Sequence, residues 1–203
     1  MSHFLMGVVV PKSWNEENEG VQDYIQEAME DFDEGLEVEP YIRQIKEEVQ
    51  KEYEKYCEDK TIPLADWWYD WNGCRLDKDG NSLSTYNPKS KWDWYRVGGR
   101  WDGDIQGKTV ESTDNGFNFD DGHESLKNNM TTVKDLIELI KKDEQHAPFG
   151  ILTSAKEWIE RGEMGWWGVV SNEKEKNTWT EQVIKVLEAE NADDFVVGVD
   201  CHI

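Results

Sequence analysis

Phe195-Val-Val-Gly-Val-Asp-Cys-His-Ile203 decides the reading of the fold. Phe195, Val197, Val199, Cys201 and Ile203 form one apolar face, and Gly198, Asp200 and His202 form the other, which is the two-residue period of a strand. At the other end of the sequence, His3-Phe-Leu-Met-Gly-Val-Val-Val10 is short, finishes in β-branched residues and is stopped by Pro11, so it predicts a buried strand. Strands at both termini, with helices and hairpins between them, place the chain in the α+β class around an antiparallel or mixed sheet with its terminal strands paired. A ferredoxin-like core is the specific expectation. Its last strand would run antiparallel beside the first and bring His202 near His3.

Working inward, Val21, Ile25, Ala28 and Phe32 recur at helical spacing. Pro40 is placed to open a second helix with Ile42, Ile45, Val49, Tyr53 and Cys57 on one stripe. Pro63 opens a third, Leu64 to Trp71, which Gly73 ends. Asp77-Lys78-Asp79-Gly80 and Asn87-Pro88 are turn signals. Trp92 to Val97 alternates like a strand until Gly98-Gly99, and Glu111 to Asn129 is polar enough for a long loop. Thr132 with Asp135 resembles a capping box before a helix that points Val133, Leu136, Ile137 and Ile140 inward. Phe149–Thr153, Glu157–Ile159 and Trp166–Val170 read as strands, and Thr178-x-x-Glu181 caps a helix using Trp179, Val183, Val186 and Leu187. The 203 residues fit one domain, with 40–130 as an insertion carrying the tryptophan-rich segment.

Composition narrows the function. The net charge is −22, and half of it falls between Glu16 and Glu39, which hold eleven acids and no Lys or Arg. That balance argues against broad binding of nucleic acid or an anionic membrane. No apolar stretch approaches the roughly 18 residues of a membrane span, and Phe4–Val10 lacks the basic flank of a signal peptide. Cys57, Cys74 and Cys201 cannot all pair and contain no C-x-x-C, which points to reduced thiols in a cytoplasmic protein.

Tyr86 to Trp101 is the most unusual stretch, a local +3 inside an acidic chain. Trp92, Trp94 and Arg96 are expected on one strand face, with Asp93 and Tyr95 on the other. A Trp/Arg face can stack a base and pair a phosphate, and it can equally be core packing covered by Arg. Gly98-Gly99 could turn consecutive backbone N–H groups toward an anion. No phosphate-loop or dinucleotide glycine pattern is present, and no cofactor is assigned. In Gly165-Trp166-Trp167-Gly168 the two indoles, read as strand neighbours, point opposite ways, so that one is core and Trp166 is a candidate for the pocket. His3, Asp200 and His202 form a possible polar cluster suited to a metal or to proton transfer, the metal left open. Cys201 and His202 face opposite sides and cannot act as a nucleophile–base pair. His123 and His146 have no spaced partners. Asp77-x-Asp79-Gly80-Asn81 has its glycine too early for a calcium loop.

The strings NPKSKWDWYRVGGRW (87–101), GEMGWWG (162–168) and VDCHI (199–203) resemble a family of small proteins encoded by bacteriophages and prophages. HFLMGVVVP and EVEPY fit the same pattern, while Lys46–Lys60 and Glu111–Asn129 fall outside it. The resemblance implies a phage origin, action in the host cytoplasm and accessory work such as countering host defence.

Two binding functions follow as expectations. The first is sequestration of a nucleotide-type small molecule, plausibly a host immune signal, by Trp92, Trp94, Arg96, Arg100, Trp101 and Trp166. The alternative is an inhibitor of a basic host protein that uses the acidic block as a nucleic-acid decoy. A nucleotide hydrolase ranks below both. Its only constellation is His3, Asp200 and His202, with Glu163 as a further acid, so the ligand is expected to return unaltered and His3→Ala and His202→Ala to keep affinity.

Overall fold

The computed structural model describes residues 2–14, 18–108 and 126–203, apart from the side chains of Asn18, Glu19 and Trp166. Glu16, Glu17, His123 and most of the expected 111–129 loop lie outside the described residues.

The chain divides into two compact units, Met1–Asp33 with Lys89–Ile203, and Glu34–Pro88. The expected 40–130 insertion is therefore narrower, and the tryptophan-rich segment belongs to the larger unit. That unit is an α+β structure around a mixed sheet. Strand β1 (His3–Val10) pairs antiparallel with β10 (Phe195–His202) over its whole length, His3 opposite His202 and Val10 opposite Phe195. The other strands of this sheet are β4 (Trp94–Val97), β5 (Met130–Thr132), β6 (Gly150–Leu152) and β7 (Trp158–Glu160). The order is β4-β10-β1-β6-β7, with β5 also on β10. Here the sheet departs from a ferredoxin-like core, in which the parallel strands of each βαβ unit are split by another strand. β1 and β6 are parallel direct neighbours, Met6 opposite Gly150.

Both faces of the central pair are covered, and every residue of β1 but the first is buried. This accounts for a near-continuous apolar run where a one-sided strand would alternate. On one face α1 (Asn18–Met29) packs Val21, Tyr24, Ile25, Ala28 and Met29 against Phe4, Met6, Val8, Val197, Val199 and Cys201. On the other, Val9, Ile151 and Val196 meet α4 (Val133–Lys142) and α5 (Lys176–Glu188) through Val133, Leu136, Ile140, Trp179, Val183 and Leu187. Thr132 Oγ1 accepts from the Asp135 N–H at 3.1 Å and starts α4 as expected. Helix α5 instead begins at Lys176, ahead of Thr178, and Thr180 Oγ1 donates back to Lys176 O. Burial removes Cys201 from thiol chemistry, since desolvation and the nearby Asp200 push its pKa well up.

The sequence Trp166–Val170 is not a strand. Two-residue strands β8 (Glu163–Met164) and β9 (Val170–Ser171) flank a tight turn in which Trp167 takes φ +66° and is 81% exposed. Ser2 pins this turn, donating Oγ to Gly165 O at 2.8 Å and accepting from the Gly168 N–H at 2.5 Å.

In the second unit, the expected helix at Pro40 is a strand. β2 (Glu37–Gln44) pairs with β3 (Ser82–Tyr86) across register shifts, and α2 starts only at Lys46 and runs to Tyr56. A strand edge tolerates the proline, which has no N–H to donate. Ile42 and Ile45 are consequently exposed, while Val49 and Cys57 join Trp67 and Trp68 in a separate core. Helix α3 (Leu64–Asn72) follows its signals: Pro63 caps it, and Gly73 ends it at φ +68°.

The chain leaves and re-enters the larger unit at one place. Asp33 bridges to Trp92, and the Lys91 N–H donates to Phe32 O at 2.8 Å. Replacing residues 34–88 by a Gly/Ser linker of about four residues is therefore expected to leave the larger unit folded. A circular-dichroism melt that loses its cooperative transition would contradict this.

Candidate functional site

The β1–β10 register sets the cluster. Because His3 lies opposite His202 and Leu5 opposite Asp200, His3, Asp200 and His202 share one face. Strand β4 continues that face on the far side of β10, with Arg96 opposite Asp200 and Trp94 opposite His202. Two residues of the expected tryptophan–arginine face and the three polar residues thus come together.

Two imidazole–carboxylate pairs result. His3 Nδ1 is 2.8 Å from Asp200 Oδ1, and His202 Nδ1 is 2.6 Å from Asp93 Oδ1. A carboxylate only accepts, so each Nδ1 carries the hydrogen and each Nε2 holds the lone pair of the neutral ring. The rings meet edge to face with centroids 4.9 Å apart. Trp94 stacks on His202 at 4.9 Å and 16°, and meets His3 edge-on at 5.3 Å. Asp200 and His202 are buried, Asp93 keeps 35% of its side chain exposed, and Trp94 is 44% exposed, so the cluster lies just beneath the surface.

Asp93 was not legible as a site residue. Strand parity puts it opposite Trp94, but the regular strand begins only at Trp94, and the Asp93 N–H donates to His202 O at 3.0 Å before the alternation starts. The same break corrects Trp92. Instead of sharing the face of Trp94, it is buried among Met29, Phe32 and Tyr95, with Nε1 donating to Met29 O at 3.1 Å.

The anion held by the Gly98-Gly99 turn is internal. The Gly98 N–H donates to Gly198 O, and the Arg100 N–H donates to Asp200 Oδ2 at 3.0 Å. At Gly99, φ is +57°, and a Cβ would stand 2.6 Å from Asp200 Cβ. Only glycine lets the turn close over this carboxylate. Buried Asn129 holds the rest of the loop, accepting from the Gly103 N–H at 2.9 Å and donating to Asp102. Arg96 and Arg100 are exposed, and Trp101 is half-buried in the short turn Gly99–Trp101.

Other candidates do not join. Glu163 accepts from Asn172 Nδ2 at 3.3 Å. His146 lies 3.3 Å from Asp104 Oδ1, out of line for a hydrogen bond. Burial pushes the Asp104 carboxyl up, with His146 acting against the shift. Asp77 accepts from the Asp79 and Asn81 N–H groups, so it closes a turn. In the acidic block, Glu27 pairs with Lys156 at 2.8 Å, and Val21, Tyr24, Ile25 and Ala28 face the core. Among the described residues no three His, Cys, Asp or Glu side chains are grouped to hold a metal, and both carboxylates of the cluster are committed to imidazoles. No described helix is long and apolar enough to cross a membrane.

Compared with known protein families, curated proteins and solved structures, the chain matches none.

Proposed function

We propose that the protein binds a nucleotide-type small molecule on the β4–β10–β1 face, with a base against Trp94 and phosphate oxygens near Arg96 and Arg100. Trp94 carries the reading. A half-exposed indole stacked on a buried imidazole is held rigid at little cost to a ligand, and Arg96 stands beside it on the same strand face. The cluster has donors for anionic oxygens and an aromatic surface for a base, the two parts a nucleotide presents. Sequestering such a molecule, an immune signal of a phage-infected host, is the role the resemblance suggests for this binding.

Calorimetry with mono-, di- and cyclic nucleotides and adenosine-diphosphate-ribose derivatives tests the proposal. At least one is expected to bind tighter than roughly 100 µM, about 5.5 kcal/mol, and Trp94→Ala to weaken it at least about tenfold, near the 1–3 kcal/mol of a lost base stack. A panel with no ligand in that range would sink the reading.

A further inference from the structure

We infer that the two imidazole–carboxylate pairs form a general acid–base site that hydrolyses a phosphodiester bond, an inference that rests on nucleotide-type binding at this face. An unaltered ligand is the expectation while the cluster rests on an assumed strand pairing, and the register that sets His3 opposite His202 removes that ground. Asp93 adds a carboxylate for His202. His3–Asp200 and His202–Asp93 are separate pairs built from different elements, and their rings touch. One such pair often steadies a structural histidine. Two of them, with ring centres 4.9 Å apart beside an exposed indole and an arginine, give one substrate a proton acceptor in the neutral ring and, when the other ring carries a second proton, a proton donor.

The step balances without a metal or an oxidant. A water oxygen forms a bond to phosphorus as the bond from phosphorus to the leaving oxygen breaks. The neutral imidazole takes the water proton at Nε2, and the protonated imidazole gives its Nε2 proton to the leaving oxygen. A phosphodiester and one water become a phosphomonoester and an alcohol. The rings exchange protonation states and are reset through solvent. Asp93 and Asp200 are positioning residues that hold each Nδ1–H and thereby direct each Nε2 to the reaction. Arg96, opposite Asp200 on the same face, and the exposed Arg100 place positive charge near the phosphoryl oxygens.

The test incubates the full chain with bis(4-nitrophenyl) phosphate, and separately with linear and cyclic dinucleotides, in ¹⁸O-labelled water. The expected result is release of 4-nitrophenolate, or of nucleotide monoester, with ¹⁸O in the phosphate. His3→Ala and His202→Ala should each lower the rate at least about 100-fold, and added imidazole should restore part of the activity of His202→Gly. If His202 variants fail to fold, His3→Gln carries the same prediction. Turnover unchanged in both alanine variants, or no turnover of any probe, would overturn the inference. Nucleotides that bind and return unchanged overturn catalysis alone. Cleavage of the chromogenic diester without nucleotide binding overturns the nucleotide reading and leaves the acid–base site standing.

Discussion

Trp92→Ala is expected to cost about 3–5 kcal/mol of folding stability, the range for removing a large aromatic from a core. Its indole is packed by α1, Phe32 and Tyr95, and its N–H reaches Met29 O, so truncation leaves a cavity and removes a buried hydrogen bond. Trp94→Ala, two residues on, removes one stacked and one edge contact from a half-exposed ring and should cost about 1 kcal/mol. Ligand affinity should respond in the opposite order, falling with Trp94 and holding with Trp92 below its melting transition. Urea titrations of both variants, paired with calorimetry, read the two effects. Equal destabilisation would mean that Trp94 is core after all.

Asp200→Asn is expected to keep the fold and disable the site. Asp200 accepts from two donors, His3 Nδ1–H and the Arg100 N–H, and an amide oxygen can accept both only by leaving its NH₂ without an acceptor. The easier solution turns the amide N–H toward Nδ1, and His3 then takes the tautomer with its hydrogen on Nε2. Stability should fall by about 1–2 kcal/mol. Hydrolysis should fall by at least about 10³-fold, as a wrong tautomer does in a Ser-His-Asp triad. Imidazole ¹⁵N shifts report the tautomer directly. Lost activity with an unchanged His3 tautomer would place the role of Asp200 elsewhere.

The elements that the sequence made legible are those whose signals are local or strictly periodic. The terminal strands, Thr132 starting α4 and Gly73 ending α3 all follow from neighbours within a few residues. A proline that suits a helix start also suits a strand that need not donate there, and β3 decides between them at Pro40 from more than forty positions away, Tyr41 pairing with Ser84. Trp166-Trp167 was misread because nothing local signals a positive φ at a tryptophan, and the turn is tied by Ser2, a distant residue. Within the site, His3, Asp200 and His202 were legible from alternation plus one assumed pairing. Asp93 was not, because its place depends on where the strand regularity stops, which the register of β4 on β10 determines.

The pairing of β1 with β10 also has a kinetic side. His3 and Asp200 are 197 positions apart, so their contact is among the most non-local the chain can make. Contacts of this span form late and slow folding, because the closure entropy of the intervening chain must be met first. During synthesis β1 emerges early, apolar on both faces, and waits without its principal partner until β10 follows. A chaperone that shields short hydrophobic strands would find its target there, and a ribosome stalled before Phe195 would present a chain with an open sheet edge. The two imidazole–carboxylate pairs come into being only when β10 docks, because each of them joins a residue of β10 to one that precedes it by more than a hundred positions.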